Sequence, residues 1–413
     1  MNFLFKSFML ALLFSIVYFS QENNTQNPQD LTSKIHPLGI APNPQNGYGN
    51  GTNQLAQPDD VEYLKDGSIL VSDVNNNRLQ LYSNVGEFVK SINAEDMHLK
   101  GEITPTGLAQ DAEGNIYISC EGAGVIVRLN PDLSFDQFIG KFCDIKDTEY
   151  YCPENDNCLI KPQGLAVSAK GDVFVIDMEK SFRRGYDGSI RNFGFRKFKK
   201  TVENGTTKYV YDRDFATTQE ITKVMRKSEG MAINESKGIL FIAEEKPLPT
   251  EFGNKEKYRY IAAFDLKTGK YQEKLFGVTF KDGKIVSGIF KNSVEGVAVF
   301  ENLLFGVDEK AGNVKIFDIE TGESKGFFGK AAYYYCDDES DCVIEGTNYN
   351  EQTIIAGTAL PHLKNDWQKS ELASPDGIIV TQLSDGKKRL AVVDQWNMRI
   401  VIYDLDQILN LID

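Results

Sequence analysis

The chain has 413 residues, of which 41% are hydrophobic and 25% charged, with a formal net charge of −14. That balance excludes a disordered chain, and the length exceeds one ordinary core but suits a repeat-built domain. The acidic excess excludes a nucleic-acid binder, which needs a basic footprint, and favours cation binding. In chain order, Lys6 precedes an almost wholly apolar run over residues 8–19. This is short for a bilayer span and reads as a signal peptide over 1–20, followed by a short linker at 21–33. A secreted, extracellular protein is therefore expected, with no stable membrane span once the signal is cleaved. Six cysteines follow, Cys120, Cys143, Cys152, Cys158, Cys336 and Cys342. YYCPENDNC and YYYCDDESDC share one spacing, so local disulfides Cys152–Cys158 and Cys336–Cys342 are expected, with Cys120 and Cys143 as the leftover pair. Asn23, Asn50, Asn204 and Asn234 open N-x-S/T sequons, which marks the chain as a candidate glycoprotein.

From residue 34 onward one phrase recurs. It is a polar residue, usually glycine, an alternating apolar strand, a turn, and a second strand ending in Asp or Glu. Six copies align: PDDVEYLKDGSILVSD, PTGLAQDAEGNIYISC, PQGLAVSAKGDVFVID, SEGMAINESKGILFIAEE, VEGVAVFENLLFGVDE and PDGIIVTQLSDGKKRLAVVD. Third strands such as RLQLYS, VIVRLN, VKIFDI and RIVIYD follow, and fourth strands end near FDQFIG and SKGFFG. Four short antiparallel strands per unit in six units predict an all-β, six-bladed propeller over 34–413. The sixth copy lacks a fourth strand, and KIHPLGI, around residues 35–40, is placed to supply it and close the ring. Copies two and three match copies five and six in strand order and cysteine spacing, as in a duplicated three-blade half. A basic insertion at 179–227 interrupts blade three, with 13 Lys or Arg against 6 Asp or Glu.

The residue before the glycine starts the innermost strand, at the mouth of the central channel. Reading it through six blades yields Asp59, Thr106, Gln163, Glu229, Glu295 and Asp376. Carboxylates about 6 Å apart at an effective dielectric near 20 repel by about 3 kcal/mol per pair. Four of them call for bound protons or a cation. Oxygen-only donors with no histidine nearby suit Ca²⁺ better than Zn²⁺. The second-strand ends, Asp73, Cys120, Asp177, Glu244, Asp308 and Asp394, read as structural, with the carboxylates accepting bonds from the turn that follows. Arg183 and Arg184, soon after Asp177, are candidates for phosphate binding over the channel. The three histidines form no nucleophile–base or metal-binding pair, which argues against a Ser-His-Asp hydrolase.

Asp73-Val-Asn-Asn76-Asn-Arg78 and Asp394-Gln-Trp-Asn397-Met-Arg399 share D-x-x-N-x-R, which resembles the NHL repeat of six-bladed propellers. Glu229-Gly230, Ala243-Glu244-Glu245, Glu295-Gly296 and Asp376-Gly377, with Asp59-Asp60, resemble in order the motifs of the β-propeller phytases, calcium-dependent secreted phosphatases. That resemblance implies Asp59, Glu229, Glu245, Glu295 and Asp376 as calcium ligands. It also implies a phosphorylated small molecule as substrate and a phosphomonoesterase activity. The chain departs from the family where a phosphate-binding lysine pair is expected, since Val74-Asn75-Asn76-Asn77 stands there. The alternative is a non-catalytic NHL-type propeller that binds a protein or glycan partner and carries a structural ion in the channel; a monomer is expected under either reading.

Overall fold

The computed structural model describes residues 28–43, 47–142, 157–177, 182–184, 190–192, 194–216, 224–225, 227–248, 257–282, 284–290, 293–331, 342–344, 347–349 and 367–412. The backbone alone is described at 142, 158, 182–184, 190–192, 342–344, 347–349 and 367.

Six antiparallel four-stranded sheets form the ring. Blade 1 runs Pro58–Tyr63, Ile69–Asp73, Arg78–Tyr82 and Phe88–Ile92. Blade 2 follows with Pro105–Gln110, Ile116–Cys120, Val125–Leu129 and Phe135–Ile139. Blade 4 is Ser228–Asn234, Ile239–Glu244, Tyr260–Asp265 and Tyr271–Phe276, and blade 5 is Val294–Phe300, Leu303–Asp308, Asn313–Asp318 and Ser324–Phe328. Blade 6 takes Pro375–Gln382, Lys388–Asp394 and Arg399–Asp404 from the end of the chain and Pro37–Ala41 from its start. Ile40 faces Val401 and Ala41 faces Ile400 in an antiparallel pair, so the expected closing strand is in place. The pairing completes the fourth strand of blade 6 and ties the start of the chain to its end.

Blade 3 corrects the sequence reading of a basic insertion. Its first two strands are Pro162–Val167 and Val173–Asp177, but its third and fourth are Phe195–Glu203 and Thr206–Tyr211, inside residues 179–227. The basic residues of the third strand are met by acids, beginning with Arg196, 2.9 Å from Asp177. Lys197 lies 3.0 Å from Asp172, Lys199 2.8 Å from Asp212 and Lys200 3.1 Å from Glu113. Phe195 and Phe198 on the same strand are buried, which pins the strand register. The duplicated halves also show. A parallel bridge joins Lys141–Phe142 to Cys158–Leu159 after blade 2, and Lys330–Ala331 to Glu371–Leu372 after blade 5.

The hydrophobic core is a set of packed seams between blades. Between blades 3 and 4, Phe195 packs edge-on against both Phe215 and Phe264, at 5.3 and 5.2 Å between ring centres. Between blades 5 and 6, Phe328 meets Tyr403 at 5.0 Å, and the terminal helix Leu405–Ile412 adds buried Leu405 and Ile408. Near the channel the seams are too tight for side chains. A Cβ on Gly107, Gly164, Gly230, Gly296 or Gly377 would fall 2.6 Å or less from the carbonyl oxygen of Gln163, Glu229, Glu295, Asp376 or Asp59, respectively. Each glycine thus lets the next blade's pre-glycine residue approach, and this fixes the ring of polar residues. We expect Gly296→Ala to cost about 1–3 kcal/mol in urea unfolding, since the obstructing atom is backbone. Gly39→Ala, with nothing within 4 Å, should leave the midpoint in place.

Blade 1 has no such glycine. Asp60 stands there, accepting the Leu108 N–H of blade 2 at 2.7 Å and its neighbour Val61 N–H at 2.8 Å. Burial pushes its carboxyl up to about 7.

Two further expectations change. Cys120 is buried and, among the described residues, a free thiol rather than a disulfide partner. Cys143, Cys152 and Cys336, and the side chains of Cys158 and Cys342, lie outside the described residues, so the two local disulfides do as well. Of the sequons, Asn50 and Asn204 are exposed, but Asn234 is 4% exposed and donates its amide to Glu301 O at 2.7 Å, which closes it to a glycan. Asn23 lies outside the described residues. No helix among the described residues is long and apolar enough to cross a membrane.

Candidate metal centre

The pre-glycine residues converge at one end of the channel, over a cavity of about 540 Å³. Glu229, Glu295 and Asp376, from blades 4, 5 and 6, bring one carboxylate oxygen each to within 4.8 Å of one another. Burial, with Glu245 and Asp59 nearby, pushes Glu229 well above the usual carboxylate range. Burial first and the neighbouring Glu229 and Glu245 second do the same to Glu295. Asp376 rises through burial and the charges of Asp59 and Glu295. Asp59 stands beside the three and shares a hydrogen bond with Asp376, and burial holds it at about 6.

The two neutral members of the ring differ. Thr106 spends its hydroxyl at 3.0 Å from Ser119 Oγ and 3.1 Å from the Pro162 carbonyl. Gln163 lines the cavity and leaves its buried Oε1 without a hydrogen-bond partner. Glu245 is drawn aside. Its Oε1 bonds the Lys227 ammonium, which also lies 3.1 Å from Glu229 Oε1. Burial raises Glu245, but a hydrogen bond from Glu229 and the Lys227 charge outweigh it and hold Glu245 below its ordinary value.

A second tier of residues surrounds the first and escaped sequence reasoning, Glu245 apart. It comes from two repeat positions. One lies two residues before the pre-glycine site: Gln57, Thr104, Lys161, Lys227, Ser293 and Ser374. The other follows the second-strand acid and includes Glu121, Glu245, Glu309 and Gln395. The backbone locks them together, because the N–H of Glu121, Glu245 and Glu309 donates to the carbonyl of Thr104, Lys227 and Ser293 at 2.9, 2.9 and 3.3 Å. Side chains then pair across the mouth. Lys161 lies 2.6 Å from Glu121, Ser374 donates to Glu309 at 2.7 Å, and Gln395 donates to Asp376 Oδ2 at 2.6 Å. The detectable signal was the acid one step past the second strand in three blades, Glu121, Glu245 and Glu309.

The second-strand acids are structural, as expected. Asp73, Asp177, Asp308 and Asp394 are fully buried and paired within their blades with Arg78, Arg196, Lys315 and Arg399 at 2.8, 2.9, 3.1 and 2.7 Å. Glu244 accepts the Ser228 hydroxyl. Arg183 and Arg184 lie on a two-stranded hairpin, Phe182–Arg184 with Ile190–Asn192, and their side chains are outside the described residues.

The donor set fits a hard divalent cation. Oxygens up to 4.8 Å apart match opposite vertices around an ion with 2.3–2.6 Å bonds. In addition, Glu295 is 7% exposed, yet its Oε2 has no hydrogen-bond partner, a costly arrangement that a cation would satisfy.

No protein-family model matches the chain, and no curated protein matches it. Solved structures align with it at low identity. A gluconolactonase from Xanthomonas campestris aligns at 12% identity over 85% of this chain and 87% of that one, with a TM-score of 0.46. A catalytically inactive virginiamycin B lyase from Staphylococcus aureus, solved with quinupristin, aligns at 10% identity over 90% of this chain and 96% of that one, with a TM-score of 0.44. A nidogen/laminin complex aligns at 12% identity over 67% and 81%, with a TM-score of 0.38. At this distance the likeness carries no residue role.

Proposed function

We propose that this is a secreted propeller whose channel mouth binds one divalent cation, calcium by the chemistry of its donors, and that the centre hydrolyses a small phosphomonoester. The observation that carries the reading is the convergence of Glu229, Glu295 and Asp376 around a buried, unpartnered Glu295 oxygen. Secretion rests on the apolar run after Lys6 and on the paired cysteine spacings. When bound, such an ion acts as a Lewis acid on a phosphoryl oxygen. The chain supplies the rest. Gln395 fixes Asp376 by its hydrogen bond, and Asp59, beside the three ligands, is placed to exchange a proton with water. Lys161 and Lys227 put ammonium groups at the mouth, where the phytase-like lysine pair is missing from its usual place.

One observation favours a second reading, a binding propeller with a structural ion. Both ammonium groups are engaged by glutamates, Lys161 by Glu121 and Lys227 by Glu229 and Glu245. Phosphate release from inositol hexakisphosphate and from an aryl phosphate, with calcium and with chelator, separates the two. Calcium-dependent release that disappears in Glu295→Gln is the expected result. Calcium binding without release selects the binding propeller, in which the mouth loops meet a protein or glycan. A chain that binds no divalent cation sinks both.

A further inference from the structure

Lys227 is the one ammonium, among the described residues, within ion-pair distance of a carboxylate of the triad. Its Nζ lies 3.1 Å from Glu229 Oε1 and bonds Glu245 Oε1, with about a fifth of the side chain exposed, 21%. The equivalent positions of the other blades hold Gln57, Thr104, Lys161, Ser293 and Ser374. Only Lys161 is also cationic, and it pairs with Glu121, which is outside the triad. The position of Lys227 is set by backbone, because its carbonyl accepts the Glu245 N–H at 2.9 Å and its own N–H reaches Glu244 Oε2 at 3.2 Å. The backbone thus anchors the base of the side chain beside the two glutamates, and the ammonium lies within reach of both.

We infer that Lys227 is a tethered competitor of the metal: it shares Glu229 with the bound cation and thereby sets the affinity of the centre. The inference rests on the cation-binding reading above. A divalent ion on Glu229 and an ammonium on the same carboxylate are like charges a few ångströms apart, and their repulsion opposes loading. With no bound cation the same ammonium offsets the repulsion among Glu229, Glu245 and Glu295, so it stabilises the fold. One side chain thus works in opposite directions on folding and on loading, which a simple structural ion pair would not do. The consequence is a centre tuned to load only where the cation is abundant, as calcium is outside cells.

The test uses the full chain with Lys227→Met and Lys227→Arg, titrated with calcium by calorimetry and melted in chelator. Lys227→Met is expected to bind calcium at least about tenfold more tightly than the wild type, and to melt at a lower temperature in chelator. Lys227→Arg, which keeps the charge, should match the wild type in both. Should Lys227→Met fail to fold, Lys227→Gln keeps a donor for Glu245 and carries the same expectation. Unchanged or weaker calcium binding in a folded, uncharged variant overturns the inference while leaving the centre intact. Absence of binding in the wild type and all variants removes the centre itself. Binding by Lys227→Met alone supports the competition in its strongest form.

Discussion

Stripped of divalent cations, the protein should lose stability as pH rises from 5 to 8, and calcium should restore it. The sign follows from the carboxyls at the channel mouth. Burial holds Asp59 at about 6 and Asp60 at about 7, and pushes Glu229, Glu295 and Asp376 well above their ordinary range. In the unfolded chain such groups titrate near pH 4. The folded state thus keeps protons that the unfolded chain releases, so their contribution is complete below about pH 4 and is lost as pH climbs through 6 and 7. The two-unit shift of Asp59 alone amounts to at most about 3 kcal/mol. Burial raises Glu62 and Glu309 beside the ring as well, so their contribution runs in the same direction. A cation bound by Glu229, Glu295 and Asp376 displaces those protons, so its affinity should rise with pH and its binding should release protons into the buffer. Thermal midpoints at pH 5, 6, 7 and 8, in chelator and in millimolar calcium, read this directly. Superimposable curves would mean that the mouth is a wet, metal-free ring.

Glu295→Gln sharpens the result. The substitution keeps the volume and removes one charge from three oxygens that lie within 4.8 Å. Two unit charges at that spacing repel by about 3 kcal/mol at an effective dielectric near 20. In chelator at pH 8 the variant should therefore melt higher than the wild type, and calcium should raise it no further. A variant that melts lower in chelator would show that the Glu295 charge is already satisfied by the protein.

The polar ring was legible in the sequence because a tight seam demands glycine at a fixed step. Gly230, Gly296 and Gly377 mark the strand entry, and the residue before each is forced to the mouth. The blade-1 copy hid its departure, since Asp60 fills the glycine position and makes the seam by accepting the Leu108 amide. The surrounding tier was mostly invisible. Lys161, Lys227, Ser374, Glu309 and Gln395 sit in strand-to-strand corners, where no hydrophobic period reports direction, and only the folded backbone brings Glu121 to Lys161 and Glu309 to Ser374. Composition misled at blade 3. FRKFKK, residues 195–200, reads as part of a basic insertion, but its four charges are met one by one by Asp177, Asp172, Asp212 and Glu113, which lie far apart in sequence. The position of Glu245 was anticipated, whereas the lysine that engages it was not.

The largest loss outside the channel should come from Arg399→Ala. Asp394 is fully buried at the end of a blade-6 strand and Arg399 is 4% exposed, with Nε 2.7 Å from Oδ2. Asp394 also accepts the Ala373 N–H at 2.6 Å and the Asn397 amide, while Arg399 reaches the Glu371 carbonyl at 3.1 Å. Truncating the arginine strands a charge among backbone groups that cannot rearrange. Breaking a buried pair in this way costs about 3–5 kcal/mol. The loss should be smaller at pH 5 than at pH 8. Burial already raises the Asp394 carboxyl against the opposing pull of Arg399, so without the arginine the group can escape its charge by taking up a proton in acid. The double variant Asp394→Asn, Arg399→Met should lose less than Arg399→Ala, because no charge is left behind. Arg78→Ala tests the same corner in blade 1, where Nε lies 2.8 Å from Asp73 Oδ2 and the guanidinium also ties down the carbonyls of Asn50, Gly51 and Gln54. Urea unfolding at the two pH values measures all of these. A loss below about 1 kcal/mol, or one indifferent to pH, would mean that the strand-end carboxylates are not held by their blades, and would reopen them as ligands for the channel.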